Sequence, residues 1–275
     1  MNPACTAADV STQEMNARGL TSVDGDASLA PPRRFWWELL IIGWLYFLYD
    51  IINNLSPVSQ TAALRHARDV LHLEAIMGLD VEKASNQWLA TRQFIASVLA
   101  NFYNLAHIWI TLVVIVFLWW KRRSRYADLR NALVVFNLIG FIVFWLYPVA
   151  PPRMLDGFTD VIEQTGAVSS FHSGALAPAA NQFAAMPSLH MAWALWCLVA
   201  VYRTLPGRGW RIATWLHVTL TVVAVVTTAN HFVLDLVGGL ATALVGFVLA
   251  ELFARHVRPL IVRRRIMAAT NANIA

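Results

Sequence analysis

Long apolar runs without charges recur along the chain and are separated by short polar segments rich in arginine. A helix that crosses a bilayer requires about 20 predominantly apolar residues, and these runs approach that length. The pattern therefore predicts an all-α integral membrane bundle of six transmembrane helices. The predicted spans are residues 35–55, 102–120, 131–147, 188–202, 212–229 and 232–250.

Residues 56–92 differ from the spans because apolar side chains there are interleaved with charges at roughly helical spacing. The apolar positions are Leu64, Val70, Leu71, Leu73 and Ile76. This pattern predicts an extracytoplasmic amphipathic helical segment between the first two spans. Two interpretations remain open, namely helices that lie on the membrane surface and helices that cap a site.

The composition is that of a membrane protein. Of all residues, 58% are hydrophobic and 13% are charged, whereas soluble domains carry about 25% charged residues. Residues 1–34 are polar without an apolar period and predict a disordered cytoplasmic tail. Residues 35–255 then form the six-helix membrane domain, and residues 256–275 form a basic cytoplasmic tail.

Lysine and arginine are unevenly distributed between the two sides of the predicted bundle. If the N-terminus lies inside, 16 of the 21 fall in inner segments, and cytoplasmic segments of membrane proteins carry an excess of these residues. We therefore expect both termini to be cytoplasmic, in a bacterial plasma membrane. The membrane is the predicted partner, and no nucleic acid is expected.

Three polar clusters fall at one face in this topology. Arg153 lies just beyond the outer end of the third span, His190 at the outer start of the fourth, and His231 at the outer end of the fifth. The sequence thus predicts one extracytoplasmic site. A guanidinium binds phosphate as a bidentate fork, and a helix with Pro187 in its first position offers unpaired N–H groups to an anion.

The histidines suit acid–base and nucleophilic chemistry. His190 lies at the mouth of the fourth helix, where it is placed to pass a proton. His231 and Asp235 are four residues apart and share a helix face if the sixth helix begins near His231. A carboxylate that accepts a proton from one imidazole nitrogen leaves the other nitrogen free to attack. The alternative is an aspartate that faces interfacial water.

The segments PSLH (187–190) and HFVLD (231–235) resemble the second and third signature motifs of the type 2 phosphatidic acid phosphatase (PAP2) superfamily. With YPVAPPRML (147–155), they are more specifically similar to its inositol phosphorylceramide synthase-like branch. The resemblance covers residues 35–255.

This resemblance implies phosphoryl transfer without a metal or another cofactor. It makes His231 the nucleophile that forms a phosphohistidine, Asp235 the group that orients it, and His190 the acid that protonates the leaving oxygen. Arg153 and Ser188 are the expected phosphate-binding residues.

The chain departs from the superfamily pattern at two positions. Leu146 and Val225 stand where the first and third motifs have a lysine and an arginine, so Arg153 is the only clear phosphate-binding cation of the motifs. The candidates for the missing charge are Arg65, Arg68 and Lys83.

Other polar residues near these motifs are candidates for the pocket wall. Those predicted to line it are Tyr103, His107, Asn181 and Asn230. The first two lie at the outer end of the second span, where they line the pocket, bind an acceptor hydroxyl, or only fill polar positions between helices. Asp156 and Asp160 are expected to face solvent.

The sequence therefore predicts a membrane-embedded lipid phosphate phosphatase or phosphotransferase that acts through a phosphohistidine. The resemblance favours transfer of an inositol phosphate-type headgroup from a phospholipid to a polyol or lipid hydroxyl. The alternatives are a simple lipid phosphate or polyprenyl diphosphate phosphatase, a non-catalytic transporter or scaffold, and a membrane cytochrome b. The cytochrome would use His217 and His231, which are fourteen residues apart on one predicted helix.

Overall fold

The structure is a computed structural model that describes residues 35–55, 60–167 and 182–260 of the chain. Within these ranges every regular element is helical, and one backbone bridge joins Val149 to Ala184. The helices are α1 (Phe35–Leu55), α2 (Gln60–Met77), α3 (Glu82–Ala90), α4 (Gln93–Lys121), α5 (Arg123–Leu146), α6 (Val161–Thr165), α7 (Leu189–Thr204), α8 (Arg208–Thr227) and α9 (Val233–Leu252), with a 3₁₀ turn at Pro152–Met154 and a π-helical turn at Phe253–Val257.

Four helices are long and apolar enough to cross a membrane, namely α4, α5, α8 and the continuous segment Val233–Leu260 that begins with α9. Helix α7 has 16 residues and rises about 24 Å, less than the hydrocarbon core of about 30 Å. The apolar stretch of α1, Trp36–Leu45, is also shorter than the four. The prediction of an all-α membrane protein is confirmed for the described residues, and four of the six predicted spans meet the length requirement.

The predicted tails lie largely outside the described residues. Residues 1–34 and 261–275 are not described, whereas residues 256–260 continue the helical segment that begins with α9. Helices α4 and α5 begin eight to nine residues before the predicted spans. Polar residues are compatible with a helix outside the bilayer core, so hydropathy marks the apolar part of such a helix and not its ends.

Helix α4 shows how the bundle meets lipid. Trp109, Val113, Val116 and Trp120 recur at helical spacing and are each at least half exposed. Leu118 lies on the opposite face and is fully buried. An apolar stripe this large and exposed is expected of a surface that faces acyl chains.

Two glycines allow α9 to approach its neighbours closely. A Cβ atom on Gly246 would lie 2.8 Å from the Cβ of Phe136 in α5. A Cβ atom on Gly239 would collide with the backbone carbonyl oxygen of Ser188, just before α7. The PSLH segment therefore packs directly on the first turns of α9.

Helices α2 and α3 cover the start of α9. The buried face of α2 consists of small residues followed by a glutamate, Ala63, Ala67, Val70 and Glu74. The buried face of α3 consists of Glu82, Asn86 and Leu89. Of the apolar positions that predicted an amphipathic segment, Leu73 and Ile76 are exposed. The size of the apolar side chains did not identify the buried face of α2, because small residues allow that face to pack closely against Val149 and Phe232.

We expect Gly239→Ala to destabilise the protein by about 1–3 kcal/mol, since the added methyl group meets backbone and not a flexible side chain. Thermal unfolding in detergent measures the effect. Gly209→Ala is the matched control, because Gly209 lies in α8 with nothing within 4 Å of the added Cβ. Equal unfolding temperatures for the two variants would contradict the close packing of α9 on the PSLH segment.

Candidate active site

The connection between α8 and α9 begins with a left-handed turn. Ala229 has φ 55°, and its N–H group donates to Val226 O at 3.0 Å while the N–H of Asn230 donates to Val225 O at 3.0 Å. This pair of bonds is the Schellman pattern of a helix C-terminus. It reverses the chain sharply and brings Asn230 and His231 to the wall of a cavity.

Three groups surround the imidazole ring of His231. Its Nδ1 lies 2.8 Å from Ala185 O and 3.4 Å from Asp235 Oδ2, and its Nε2 lies 3.2 Å from His190 Nδ1. A backbone carbonyl only accepts, so Nδ1 carries the proton and Nε2 carries the lone pair of the neutral ring. Nε2 is therefore the nitrogen whose lone pair faces the cavity end, and its role as the nucleophile stays a prediction.

Asp235 acts on both the backbone and the ring. Helix α9 begins at Val233, so His231 precedes the helix and does not share a helix face with Asp235, contrary to the sequence interpretation. The Asp235 carboxylate accepts the Phe232 N–H group at 2.9 Å, which is shorter than its contact with His231. It caps the helix and also places a negative charge beside the imidazole.

His190 lies in the first turn of α7, after a cap provided by Ser188. Ser188 Oγ accepts the N–H of Met191 at 3.4 Å, and the Ser188 N–H donates to Asp235 O at 2.9 Å. Pro187 therefore stands before the cap and not in the first helical position, as the sequence had suggested. Ser188 is fully buried and is not among the described residues that line the cavity, so its role in phosphate binding stays a prediction.

Two residues of α4 hold the ring of His190. Tyr103 stacks on it with ring centroids 4.5 Å apart, and His107 meets it edge-on at 4.3 Å. His107 Nδ1 is hydrogen-bonded to Tyr103 O at 2.7 Å, which fixes the ring of His107 in turn. Both residues line the cavity, and their role toward an acceptor stays a prediction.

The side chain of Arg153 is buried and held from two sides. Its Nη1 donates to Asn230 Oδ1 at 2.6 Å, and its Nε lies 3.2 Å from Asp160 Oδ2. Asp160, which was expected to face solvent, keeps about a third of its side chain exposed (32%) but also pairs with Arg153 and caps α6. Among the described residues, Nη2 of Arg153 has no hydrogen-bond partner, which leaves this nitrogen for a phosphoryl oxygen.

The site opens into a cavity of about 510 Å³ between α4, α5 and α7. Arg153 is its only lysine or arginine among the described lining residues. Arg65, Arg68 and Lys83 are exposed and do not line it, so the structure does not support them as the missing cations. The polar end contains Tyr103, His107, Arg153, His190, Asn230 and His231, and the apolar part contains Leu45, Ile108, Leu112, Ile115, Leu133, Phe141 and Phe144.

Sequence reasoning missed two carboxyl groups at this site. The N–H of Val233 donates to Glu82 Oε1 at 2.8 Å, and the N–H of Leu234 donates to Glu74 Oε1 at 2.6 Å. Both side chains are fully buried. Burial raises the pKa of Glu74 to about 8, and the neighbouring Glu82 contributes. The available sequence signal was helical register, of Glu74 with Ala67 and Val70 and of Glu82 with Asn86 and Leu89.

The remaining predictions have different outcomes. Asn181 lies outside the described residues. Within the described ranges no three His, Cys, Asp or Glu residues are arranged to hold a metal ion, and metal independence stays a prediction. Helix α8 ends at Thr227, so His217 and His231 do not share a helix, and the geometric premise of the cytochrome alternative is wrong.

Fold and site together define an all-helical membrane protein with paired histidines, a carboxylate and a buried guanidinium at the polar end of an apolar cavity. Residues 68–249 match the family model of the PAP2 superfamily. The match covers more than half of the chain, so the chain belongs to the PAP2 superfamily, and the resemblance predicted from the motifs is confirmed.

A curated relative specifies this likeness further. The phosphoinositol dihydroceramide synthase of Bacteroides thetaiotaomicron is 27% identical over 174 residues, which are 57% of this chain and 56% of that protein. The chain thus spans little more than half the length of this relative. No solved structure matches the chain.

We expect Arg153→Lys to weaken the binding of orthovanadate, a phosphate mimic, about 10- to 100-fold, because a hydrogen bond to a charged group contributes about 1.5–3 kcal/mol. The ammonium group retains the charge but not the fork that contacts Asn230, Asp160 and the ligand. Calorimetric titration measures the dissociation constant. Arg65→Lys, at an exposed position of α2, is the control, and equal affinities for the two variants would contradict the role of Arg153.

Proposed function

We propose that this protein transfers a phosphoinositol-type headgroup from a phospholipid to a lipid hydroxyl through a phosphohistidine at His231. The observation that supports this most directly is the contact between His190 Nδ1 and His231 Nε2 at the polar end of the cavity. The name of the Bacteroides relative supports the phosphoinositol group and the lipid acceptor.

In the first step the substrate phosphorus enters between the two imidazoles. The lone pair on His231 Nε2 attacks phosphorus, and the bond from phosphorus to the donor lipid oxygen breaks. Protonated His190 gives its proton to that oxygen, so the donor lipid leaves as an alcohol and His190 becomes neutral. Phosphorylated His231 is cationic, and the Asp235 carboxylate beside Nδ1 stabilises it.

In the second step the acceptor hydroxyl gives its proton to neutral His190. The hydroxyl oxygen attacks phosphorus, the bond from phosphorus to His231 Nε2 breaks, and the lone pair returns to that nitrogen. Arg153 Nη2 stabilises the charge on the phosphoryl oxygens in both steps. His190 is therefore protonated again at the end of the second step, as it was at the start of the first.

The cavity wall favours transfer over hydrolysis. Apart from its polar end, the cavity is lined mainly by aliphatic and aromatic side chains of α4 and α5. Such a wall accommodates acyl chains and keeps bulk water scarce around the phosphohistidine. A lipid hydroxyl delivered along this wall then reaches phosphorus at a higher local concentration than water.

The membrane arrangement belongs to the same proposal. Six spans, which include α7 and the short apolar stretch of α1, put both termini in the cytoplasm of a bacterial cell and the site at the extracytoplasmic face. The charge asymmetry between the two ends of the bundle supports this orientation. Arg122 Nε, at the arginine-rich end, donates to Thr204 O at the end of α7 that lies away from His190.

We expect His231→Ala to abolish headgroup transfer and His190→Ala to lower kcat about 10²- to 10⁴-fold, the usual contribution of a general acid–base group. Purified protein in lipid vesicles is supplied with a phosphoinositol lipid labelled in phosphorus, with and without a long-chain lipid alcohol. Chromatography separates the labelled lipid product from free inositol phosphate.

His72→Ala is the control, because His72 is exposed on α2, and this variant should retain full turnover. Acid-labile label on the wild-type protein, and none on His231→Ala, supports the phosphohistidine. Label released only as free inositol phosphate, whether or not the alcohol is present, would show that water is the acceptor and contradict transfer. Normal turnover in either active-site variant would contradict the assigned roles.

A further inference from the structure

The start of α9 is held by three buried carboxyl groups, and the chemistry above uses only Asp235. The other two belong to Glu74 of α2 and Glu82 of α3. We propose that Glu74 and Glu82 are positioning residues, a carboxyl pair that shares one proton and fixes the His231 loop for phosphoryl transfer. The positioning role rests on the proposed function. The shared proton is independent of it.

The hydrogen-bond inventory of the pair requires a proton. Each glutamate uses Oε1 to accept one N–H group of α9. The Oε2 atoms of both are buried and meet no donor among the described residues. Glu82 acts on Glu74 both as a side-chain hydrogen-bond partner and as a negative charge, and both effects raise the pKa of Glu74. A single proton between them satisfies both remaining oxygens, whereas two carboxylates would repel each other.

The surrounding charges act in the same direction. Glu74 is faced by Glu82 from α3 and by Asp235 from α9, and both are acidic. None of the ion pairs formed by the described residues includes Glu74 or Glu82. The nearest lysine in sequence, Lys83, is exposed and lies against Gly157. A proton is therefore the cation that balances this cluster.

The pair is connected to the nucleophile over a short distance. Val233 and Leu234, which the glutamates hold, directly follow His231 and Phe232 in the chain. Asn86 fixes the other side of the loop, because its Nδ2 donates to Thr227 O at 3.1 Å, at the end of α8. Helices α2 and α3 therefore set the position of His231 Nε2 relative to His190, although neither glutamate lines the cavity.

The pH dependence follows from the direction of the shift. The pKa of Glu74 is raised from 4.5 to about 8 in the folded protein. The stabilisation by the shared proton is therefore complete below about pH 4.5 and is lost progressively as the pH rises to about 8. Above that pH two adjacent carboxylates repel each other and loosen the loop.

The test compares Glu74→Gln and Glu74→Leu with Asp69→Asn, an exposed acidic position on the same helix. Glutamine reproduces the protonated acid, since its oxygen accepts the Leu234 N–H and its amide donates to Glu82. We expect the kcat of the wild type to fall above about pH 8, because the loop loosens. Glu74→Gln should retain kcat within about threefold at neutral pH and should not show this fall. Glu74→Leu should lower kcat about 10²-fold with a smaller change in KM, because it displaces the nucleophile.

Two measurements do not depend on the reaction. Infrared spectra should show a protonated carboxyl band at neutral pH in the wild type and in Asp69→Asn, but not in Glu74→Gln. The thermal unfolding temperature should fall as the pH rises from about 4.5 to about 8 in the wild type, and this fall should be smaller in Glu74→Gln. If transfer activity is absent from every protein, these two results still decide the shared proton.

An infrared band that persists in Glu74→Gln would overturn the shared proton. If the activity of Glu74→Gln falls above about pH 8 as steeply as that of the wild type, the positioning role is overturned, even if the proposed reaction is correct. If Glu74→Leu does not fold, the comparison of Glu74→Gln with the wild type still tests both the shared proton and the positioning role.

Discussion

The first turn of α9 is partly buried against α2 and α3, and its N–H groups have no partner within the helix. Three carboxyl oxygens accept hydrogen bonds from the N–H groups at this end. Phe232 donates to Asp235, Val233 donates to Glu82, and Leu234 donates to Glu74. An unpaired N–H group in such surroundings costs several kcal/mol. The need to pair these N–H groups therefore fixes α9 relative to α2 and α3. It also fixes the loop that contains His231.

Backbone hydrogen bonds then join the motif segments around His231. The N–H of Ala185 donates to Val149 O at 3.1 Å, and the carbonyl of Ala185 accepts His231 Nδ1. The N–H of Arg153 donates to Ala229 O at 2.9 Å. Backbone hydrogen bonds thus position the segments that contain Arg153 and His231. Their side chains therefore reach the same end of the cavity as His190. The hydrogen bond from His231 Nδ1 to Ala185 O selects the tautomer that leaves the lone pair on Nε2.

The sequence was informative where one residue type carries a signal by itself. Apolar runs predicted a helical membrane protein, and the residues His190, His231 and Arg153, which the structure brings together, stood out in motifs. It was uninformative about partners brought together by packing. Glu74 was overlooked because large apolar residues were counted, whereas its buried face consists of alanine and valine. Asp160 pairs with Arg153 only because a short turn brings it back, and no local pattern encodes this.

The central claim is that His190, His231 and Arg153 surround one phosphorus atom. A cryo-electron microscopy structure of the protein with orthovanadate, which mimics the pentacoordinate transition state, tests it most directly. The account predicts vanadium bonded to His231 Nε2, with His190 at the opposite, leaving-group oxygen and Arg153 Nη2 on an equatorial oxygen. Vanadate bound away from His231, or bound there with Arg153 still turned to Asp160 and Asn230 alone, would contradict the account.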